Sequence, residues 1–399
     1  MFIFVINSGS SSIKYQLFKM PAENPICSGL VERIGLEESQ LTHKTYKDGV
    51  EKVAKKSMAI ADHEAGLHAV ASLLTDAEWG VIKDPEEIVA VGHRVVHGGE
   101  SFAATTVITD AVKAKVKELF SLAPLHNPPN YLGIEVAEKI FTKATQVAVF
   151  DTAFHQTMPP QAYRYAIPQH LYEQEGIRAY GFHGTSHKYV SKKAADYLNK
   201  PEAKIITIHL GNGCSMAAVD AGKSVDTSMG FGPVSGLVMG TRAGDIDAAV
   251  IFHFIEQMGM DAKKVNNLLN KESGMAGLTG FSDMRDVRTA VLEGNPLAEL
   301  GSSLYAYRIK KYIGAYAAVL NGLDAIVFTA GVGENDKDTR RRVCDQLQFL
   351  GIHFSEEANQ ASGSGIREIN TPDSPVKILI VPTNEELEIA QQCFGLLKS

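Results

Sequence analysis

Two arginines stand in glycine-bounded segments: Arg94 in Gly92-His-Arg-Val-Val-His-Gly-Gly99 and Arg242 in Gly240-Thr-Arg-Ala-Gly-Asp245. Most arginines only solvate a surface. One in each half of the chain, however, suits the clamping of a small anion, because guanidinium pairs bidentately with carboxylate or phosphate. Histidines crowd similar segments: His93, His97, His126 in Ala-Pro-Leu-His-Asn-Pro-Pro-Asn130, His155, and the pair His183 and His187. The i, i+4 spacing of that pair invites a metal reading. Yet the two straddle a Gly-Thr-Ser helix start rather than a helix face, so donation to an anion is the expected role. Two carboxylates stand out. Asp151 ends the strand Gln146 to Phe150 and should continue as loop, whereas Glu385 opens a helix that it could merely cap.

The turn Asn7-Ser-Gly-Ser-Ser-Ser12 and Lys14 offer backbone N–H groups, hydroxyls and an ammonium, all donors to phosphate oxygens. It is not a Walker A motif, because Ile13 to Phe18 reads as a strand, so a phosphate site here would belong to a β-hairpin. A merely solvated serine turn is the alternative. Two more glycine loops follow apolar strands, His209-Leu-Gly-Asn-Gly213 and Gly331-Val-Gly-Glu-Asn335. Glycine lets backbone approach a nucleotide, and the carboxyl end of a strand is where open α/β sheets bind ligands. Together the three loops point to a nucleotide held between two domains.

These segments need a scaffold. Strands are expected at 2–6, 13–18 and 26–33, with a hairpin of 41–46 and 50–57 through Lys47-Asp48-Gly49. Helices at about 62–78, 110–121 and 130–141 alternate with strands at 88–91 and 146–150, which implies a partly parallel sheet. Strand, glycine turn, strand then recurs at 204–219, and Gly213 and Ser215 superpose on Gly9 and Ser11. Helices at about 245–258, 261–271, 283–293 and 296–321 follow, then strands 325–329 and 377–381 and a closing helix. The fold class is α/β, in two domains: 1–150, with the helix at about 385–399 packing back, and 151–384.

Composition narrows the function. A net charge of −7 argues against nucleic acid as a partner. Cys27, Cys214, Cys344 and Cys393 lie far apart without a metal or disulfide pattern, which suits a reduced cytoplasmic location. No apolar run reaches membrane-spanning length and no basic leader region starts the chain, so neither insertion nor export is expected.

Nine segments in order, NSGSSSIK (7–14), HRVVHGG (93–99), APLHNPPN (123–130), FDTAFH (150–155), YGFHGTSH (180–187), HLGNG (209–213), MGTRAGDID (239–247), SDMR (282–285) and GVGEN (331–335), resemble the acetate kinases of the acetate and sugar kinase, heat-shock protein and actin superfamily. The resemblance covers essentially the whole chain. It implies duplicated RNase H-like domains with mixed sheets flanked by helices, an interdomain active site and a homodimer. The reaction implied is reversible phosphoryl transfer between ATP and acetate, giving ADP and acetyl phosphate, with Mg²⁺, replaceable by Mn²⁺.

Residue by residue, the resemblance gives Asn7 and Glu385 to the metal and Ser10, Ser12 and Lys14 to the phosphates. Arg94 and Arg242 hold the acyl and phosphoryl groups, His183 and Asn212 stabilise the latter, and His126 and Asp151 complete the polar site. His209, Leu210, Gly211, Asn212 and Gly213, with Asp283, Met284 and Arg285 and with Gly331, Val332, Gly333, Glu334 and Asn335, hold the nucleotide. Val96, Leu125, Phe182 and Pro233 form a small methyl pocket. Gly280-Phe-Ser-Asp283 is one residue shorter than the family's usual G-x-S-S-D, and Ala243 and Ala248 depart from the usual Ser or Cys and Pro.

Acetate is ionised at neutral pH, so Asp151 has no proton to remove and is expected to position Mg²⁺-bound water or Arg242. Propionate kinase is the near rival, and a non-kinase ATPase of the same fold the remote one. Val96 in the presumed pocket favours acetate.

Overall fold

The computed structural model describes residues 1–47 and 49–398; Asp48 of the expected hairpin and Ser399 lie outside the described residues. The chain divides into two compact units, Met1–Phe154 with the segment from Asn384, and His155–Thr383. The division falls after Phe154 rather than after Phe150, so Asp151 belongs with the first unit, as Glu385 does.

The first unit opens with an antiparallel meander: β1 (Phe2–Ser8), β2 (Ser12–Lys19), β3 (Pro25–Glu32), β4 (Ser39–Lys47) and β5 (Val50–Met58). β6 (Ile88–Val95) then pairs parallel to β1, β8 (Thr145–Phe150) pairs parallel to β6, and the short β7 (Thr106–Val107) closes that edge. β6 runs past the expected Val91, which puts Arg94 inside the strand. In β1, Ile3, Phe4, Val5 and Ile6 are all at most 1% exposed, the continuous apolar run of a strand covered on both faces. Phe4 and Ile6 pack with Val136 and Ala137 of the helix Asn127–Ile140. Val5, which alternation turns to the opposite face, lies with Gly92 under Ile389 and Cys393 of the helix Glu385–Lys398.

The second unit repeats the plan. β9 (Lys204–Leu210), β10 (Cys214–Asp220) and β11 (Lys223–Thr227) form a meander; β12 (Ala325–Thr329) joins β9 in parallel, β14 (Lys377–Ile380) joins β12, and β13 (Arg367–Glu368) closes the edge. The order β11-β10-β9-β12-β14 reproduces β3-β2-β1-β6-β8 in both sequence and direction. This is the duplicated RNase H-like architecture, and β4 and β5 are the first unit's addition to it. Adjacent residues of β10 face opposite sides. Cys214 meets Tyr305 of the helix Pro296–Leu320 at 3.1 Å, whereas Ser215 meets His187 of the helix Gly184–Tyr197 at 2.7 Å, so helices cover both faces.

Candidate active site

In the first unit the functional side chains sit at the ends of the parallel strands. Arg94, near the end of β6, donates to Asp151 through Nε at 3.1 Å and Nη2 at 2.5 Å, the bidentate geometry of a strong pair. Its Nη1 reaches Asn7 Oδ1 at 3.4 Å, and its Nε lies 3.8 Å from Glu385. Asp151, 1% exposed, is fixed in turn by its own N–H on Val95 O at 3.0 Å. The expected loop after Asp151 is a short 3₁₀ helix, Ala153–Thr157. Within this unit Asp151 is paired with Arg94, because β6 and β8 are parallel neighbours and bring these two ends together.

Burial works against the charge on Arg94, but Asp151 and then Glu385 more than offset it and hold its pKa above the usual value. Glu385 is pushed up to about 7, chiefly by burial and further by Asp151 and Glu386, with Arg94 and Lys14 opposing. Lys14 pairs with Glu386 at 2.6 Å. Carboxylates thus outnumber the cations at this end of the unit. A buried excess of carboxylate, with the Asn7 amide oxygen beside it, is a hard-oxygen donor set that fits Mg²⁺. Among the described residues no cluster of three His, Cys, Asp or Glu side chains has metal-binding geometry.

Two asparagines missed at the sequence level hold this end of the unit. Asn130 accepts from Val96 N–H at 3.0 Å and donates to Ser8 O at 2.7 Å; Asn127 accepts from His97 N–H at 3.0 Å and donates to His97 O at 2.9 Å. The proline-punctuated segment that drew attention to His126 is therefore a clamp on β1 and β6. His93 is buried on Gln146 at 2.8 Å, and burial lowers its pKa to about 4, which makes it a structural group. Val96 is 6% exposed, whereas Leu125 is 66% exposed.

In the second unit His183 takes a left-handed conformation (φ 55°) ahead of the helix Gly184–Tyr197. Its ring stacks on His209 at 4.3 Å, and its Nδ1 lies 2.8 Å from Ser215 Oγ. His209 Nδ1 lies 2.8 Å from Ser186 Oγ. His155, neutralised by burial to about 4, donates from Nε2 to Phe182 O at 3.0 Å and so fixes the Phe182 backbone. Arg242 donates to Pro233 O at 2.9 Å. No carboxylate pairs with it among the described residues, and burial lowers its pKa. A Cβ on Gly213 would stand 3.4 Å from His183 Nε2 and 3.6 Å from Arg242 Nη1, so glycine there leaves a gap edged by both donors.

A cavity of about 920 Å³ in the second unit brings together Gly211, Asn212, Asp283, Met284, Arg285, Gly331, Val332 and Asn335, all from the three segments that the sequence marks for the nucleotide. His209, Leu210, Gly213, Gly333 and Glu334 do not line it. Arg288 and Tyr305, on the expected helices Met284–Leu292 and Pro296–Leu320, also line it, as do Asp336, Lys337 and Gln360, on or beside helices that the apolar pattern does not reveal. Asp336 preceding Lys337-Asp338-Thr339 was the available signal, since it caps the helix Lys337–Cys344 by accepting from Asp338 N–H at 3.0 Å. The expected glycine loop 331–335 is instead a helix, Ala330–Asn335, entered through Ala330 at φ 63°. A Cβ on Gly240 would meet Asn212 Oδ1 at 2.1 Å, so glycine lets that amide lie against the cavity wall.

Residues 2–391 match the model of the acetokinase family. An acetate kinase of Flavobacterium johnsoniae is 58% identical over 399 residues, covering 100% of both chains. The crystal structure of Porphyromonas gingivalis acetate kinase is similar with a TM-score of 0.93 and 45% identity, covering 99% of each chain. A propionate kinase from Francisella tularensis follows at a TM-score of 0.90 and 40% identity, covering 98% of each. A family match along nearly the whole chain, together with relatives identical at more than half of their positions over their full length, places this chain in the acetokinase family.

Proposed function

We propose that the chain catalyses reversible phosphoryl transfer between ATP and acetate, giving ADP and acetyl phosphate by direct in-line attack. The observation that carries this reading is Arg242, a half-buried guanidinium without a carboxylate partner among the described residues, beside His183 and the Gly213 gap. A phosphoryl group is the anion such a position accommodates. Asn212 and His183 add donors to the same group, and the nucleotide occupies the cavity walled by Gly211, Asp283, Arg285 and Gly331. On the first unit, Arg94 holds the acetate carboxylate. Asp151 spans Arg94 with both oxygens and so orients it rather than taking a proton.

Asn7 and Glu385 would hold Mg²⁺ or Mn²⁺, which when bound neutralises charge on the phosphates. Ser10, Ser12 and Lys14 contact the phosphate chain, with Lys14 held at the ready by Glu386. His126 and the apolar Val96, Leu125, Phe182 and Pro233 select a short acyl group. Catalysis is then alignment plus charge neutralisation. The working form is a cytoplasmic homodimer, consistent with the apolar helix Ala248–Glu256, none of whose residues is buried.

The test is Mg²⁺-dependent acyl phosphate formation from ATP, trapped as hydroxamate, with acetate, propionate and butyrate in parallel. Acetate is expected to lead in kcat/KM, by roughly 10- to 200-fold per added methylene. Propionate in the lead moves the chain to the propionate-kinase reading; no product with any of the three sinks the kinase reading.

A further inference from the structure

The turn between β1 and β2 is held through its carbonyls. Ser8 O accepts from Asn130 Nδ2 at 2.7 Å, Gly9 O from His63 Nε2 at 2.7 Å, Ser11 O from Ile34 N–H at 3.1 Å, and Ser12 O from Gly9 N–H at 2.9 Å. In a trans peptide the N–H points opposite to the C=O of the same unit. Tying down the Gly9 carbonyl therefore turns the Ser10 N–H away from the protein interior, and tying down the Ser11 carbonyl does the same for Ser12. Among the described residues the N–H groups of Ser10 and Ser11 donate to no protein acceptor. A row of outward N–H groups is an anion-binding concavity.

We propose that His63 is a positioning residue for the phosphate turn, holding the Gly9 peptide so that the Ser10 amide faces the nucleotide's phosphates. A carbonyl only accepts, so the bond requires a proton on His63 Nε2. The ring is rigidly carried. His63 is 8% exposed and is the first residue of the helix His63–Leu74, capped by Asp62, which accepts from Ala65 N–H at 2.8 Å. Gly66, one turn on, packs against Ile13, Ile34 and Ile60, tying the helix to β2. The corresponding turn of the second unit is tied differently: Gly211 N–H bonds to Gly213 O at 3.1 Å, Asn212 O accepts from Gly240 N–H at 3.0 Å, and among the described residues Gly211 O accepts only from the neighbouring Cys214 thiol at 3.3 Å, with no histidine involved. His63 is thus a device of the first unit alone, and it lies outside every segment singled out in the sequence.

The inference rests on the reading of Asn7–Ser12 as a phosphate turn, and the experiment separates the two. H63M, which keeps bulk but loses the donor, should raise KM for ATP by roughly 10- to 100-fold, the scale of a misplaced binding group, with KM for acetate unchanged. H63Q, whose amide can donate from a similar position, should recover most of that loss. S12A serves as the test of the turn itself. If S12A weakens ATP and H63M does not, the latch is overturned and the phosphate turn stands. If S12A leaves KM for ATP and kcat unchanged, both fall. Because H63M could fail to fold, nitrogen-15 spectra of the wild-type imidazoles provide a second arm: a protonated, slowly exchanging His63 Nε2 supports the latch, and an unprotonated Nε2 overturns it.

Discussion

Taking a guanidinium out of water without a counter-charge is costly, and the half-buried Arg242 is partly in that state: burial lowers its pKa, and among the described residues its partners are the Pro233 carbonyl and the Met239 sulfur. Arg94 is the opposite case, already neutralised by Asp151. Arg242 therefore has the larger unspent interaction with an incoming phosphoryl group. R242A should lower kcat by roughly 10²-fold or more, and R242K should restore little, because a point charge does not reproduce the guanidinium fork; steady-state rates with saturating ATP decide it. E385Q should raise the Mg²⁺ concentration for half-maximal activity at least about 10-fold, since it removes a charged donor from the proposed Mg²⁺ site. Metal titration of the rate reads this, and an unchanged midpoint removes Glu385 from the metal site. At this scale the sequence showed which residues could act, because residue type limits chemistry. It did not show that Lys14 pairs with Glu386, or Asp151 with Arg94.

Elements are positioned by side chains that touch no substrate. N130A would remove two buried bonds at once, to Val96 N–H and Ser8 O, and leave both backbone groups unsatisfied. The expected cost is about 2–5 kcal/mol, read from denaturant unfolding, with kcat falling as the ends of β1 and β6 lose their clamp. Asp226 in β11 carries a different load. Burial pushes its carboxyl from 3.8 to about 6, against one opposing bond from Thr227 N–H. The folded form therefore binds the proton more tightly than the unfolded chain, and stability contributed at low pH is lost as pH rises from about 4 through about 6. D226N should raise Tm at pH 8 and change it little at pH 4; a uniform shift at both would show that the carboxyl's ionisation is not the cause.

The long elements were legible because their apolar periods were intact. The helix Lys337–Cys344 was not, since its buried face includes Arg340, which donates to Gly333 O at 2.8 Å and to Asn359 Oδ1 at 2.8 Å. A buried arginine breaks the apolar pattern that marks a helix. The helix Ala330–Asn335 was hidden for another reason: its glycines suggested a loop, while the left-handed residue that opens it is Ala330.

On the scale of the molecule, a surface helix with no buried residue needs an explanation. In Ala248–Glu256 and just beyond it, Phe252 is 58% and Met258 60% exposed, and Ile255 adds a further 37%. Apolar surface of this kind is normally covered by a partner, and a self-complementary pair is the commonest solution. For the proposed homodimer, F252E should shift the protein from dimer to monomer in sedimentation velocity without unfolding it; a mutant that remains dimeric would place the contact elsewhere. The duplication is also a property of this scale. Gly213 and Ser215 aligned with Gly9 and Ser11 only weakly as letters, whereas the strand order and directions of the two units coincide. Topology outlasts sequence because many side chains fill a pleated core equally well. The sequence by itself determined the α/β class, the order of the long elements and the family, since these depend on local periodicity and on short segments whose residue types are fixed by chemistry. The tertiary structure alone decided which groups meet. Arg94 and Asp151 are 57 residues apart and Gly9 and His63 54, and such pairings follow from strand register and helix packing, which no local pattern encodes.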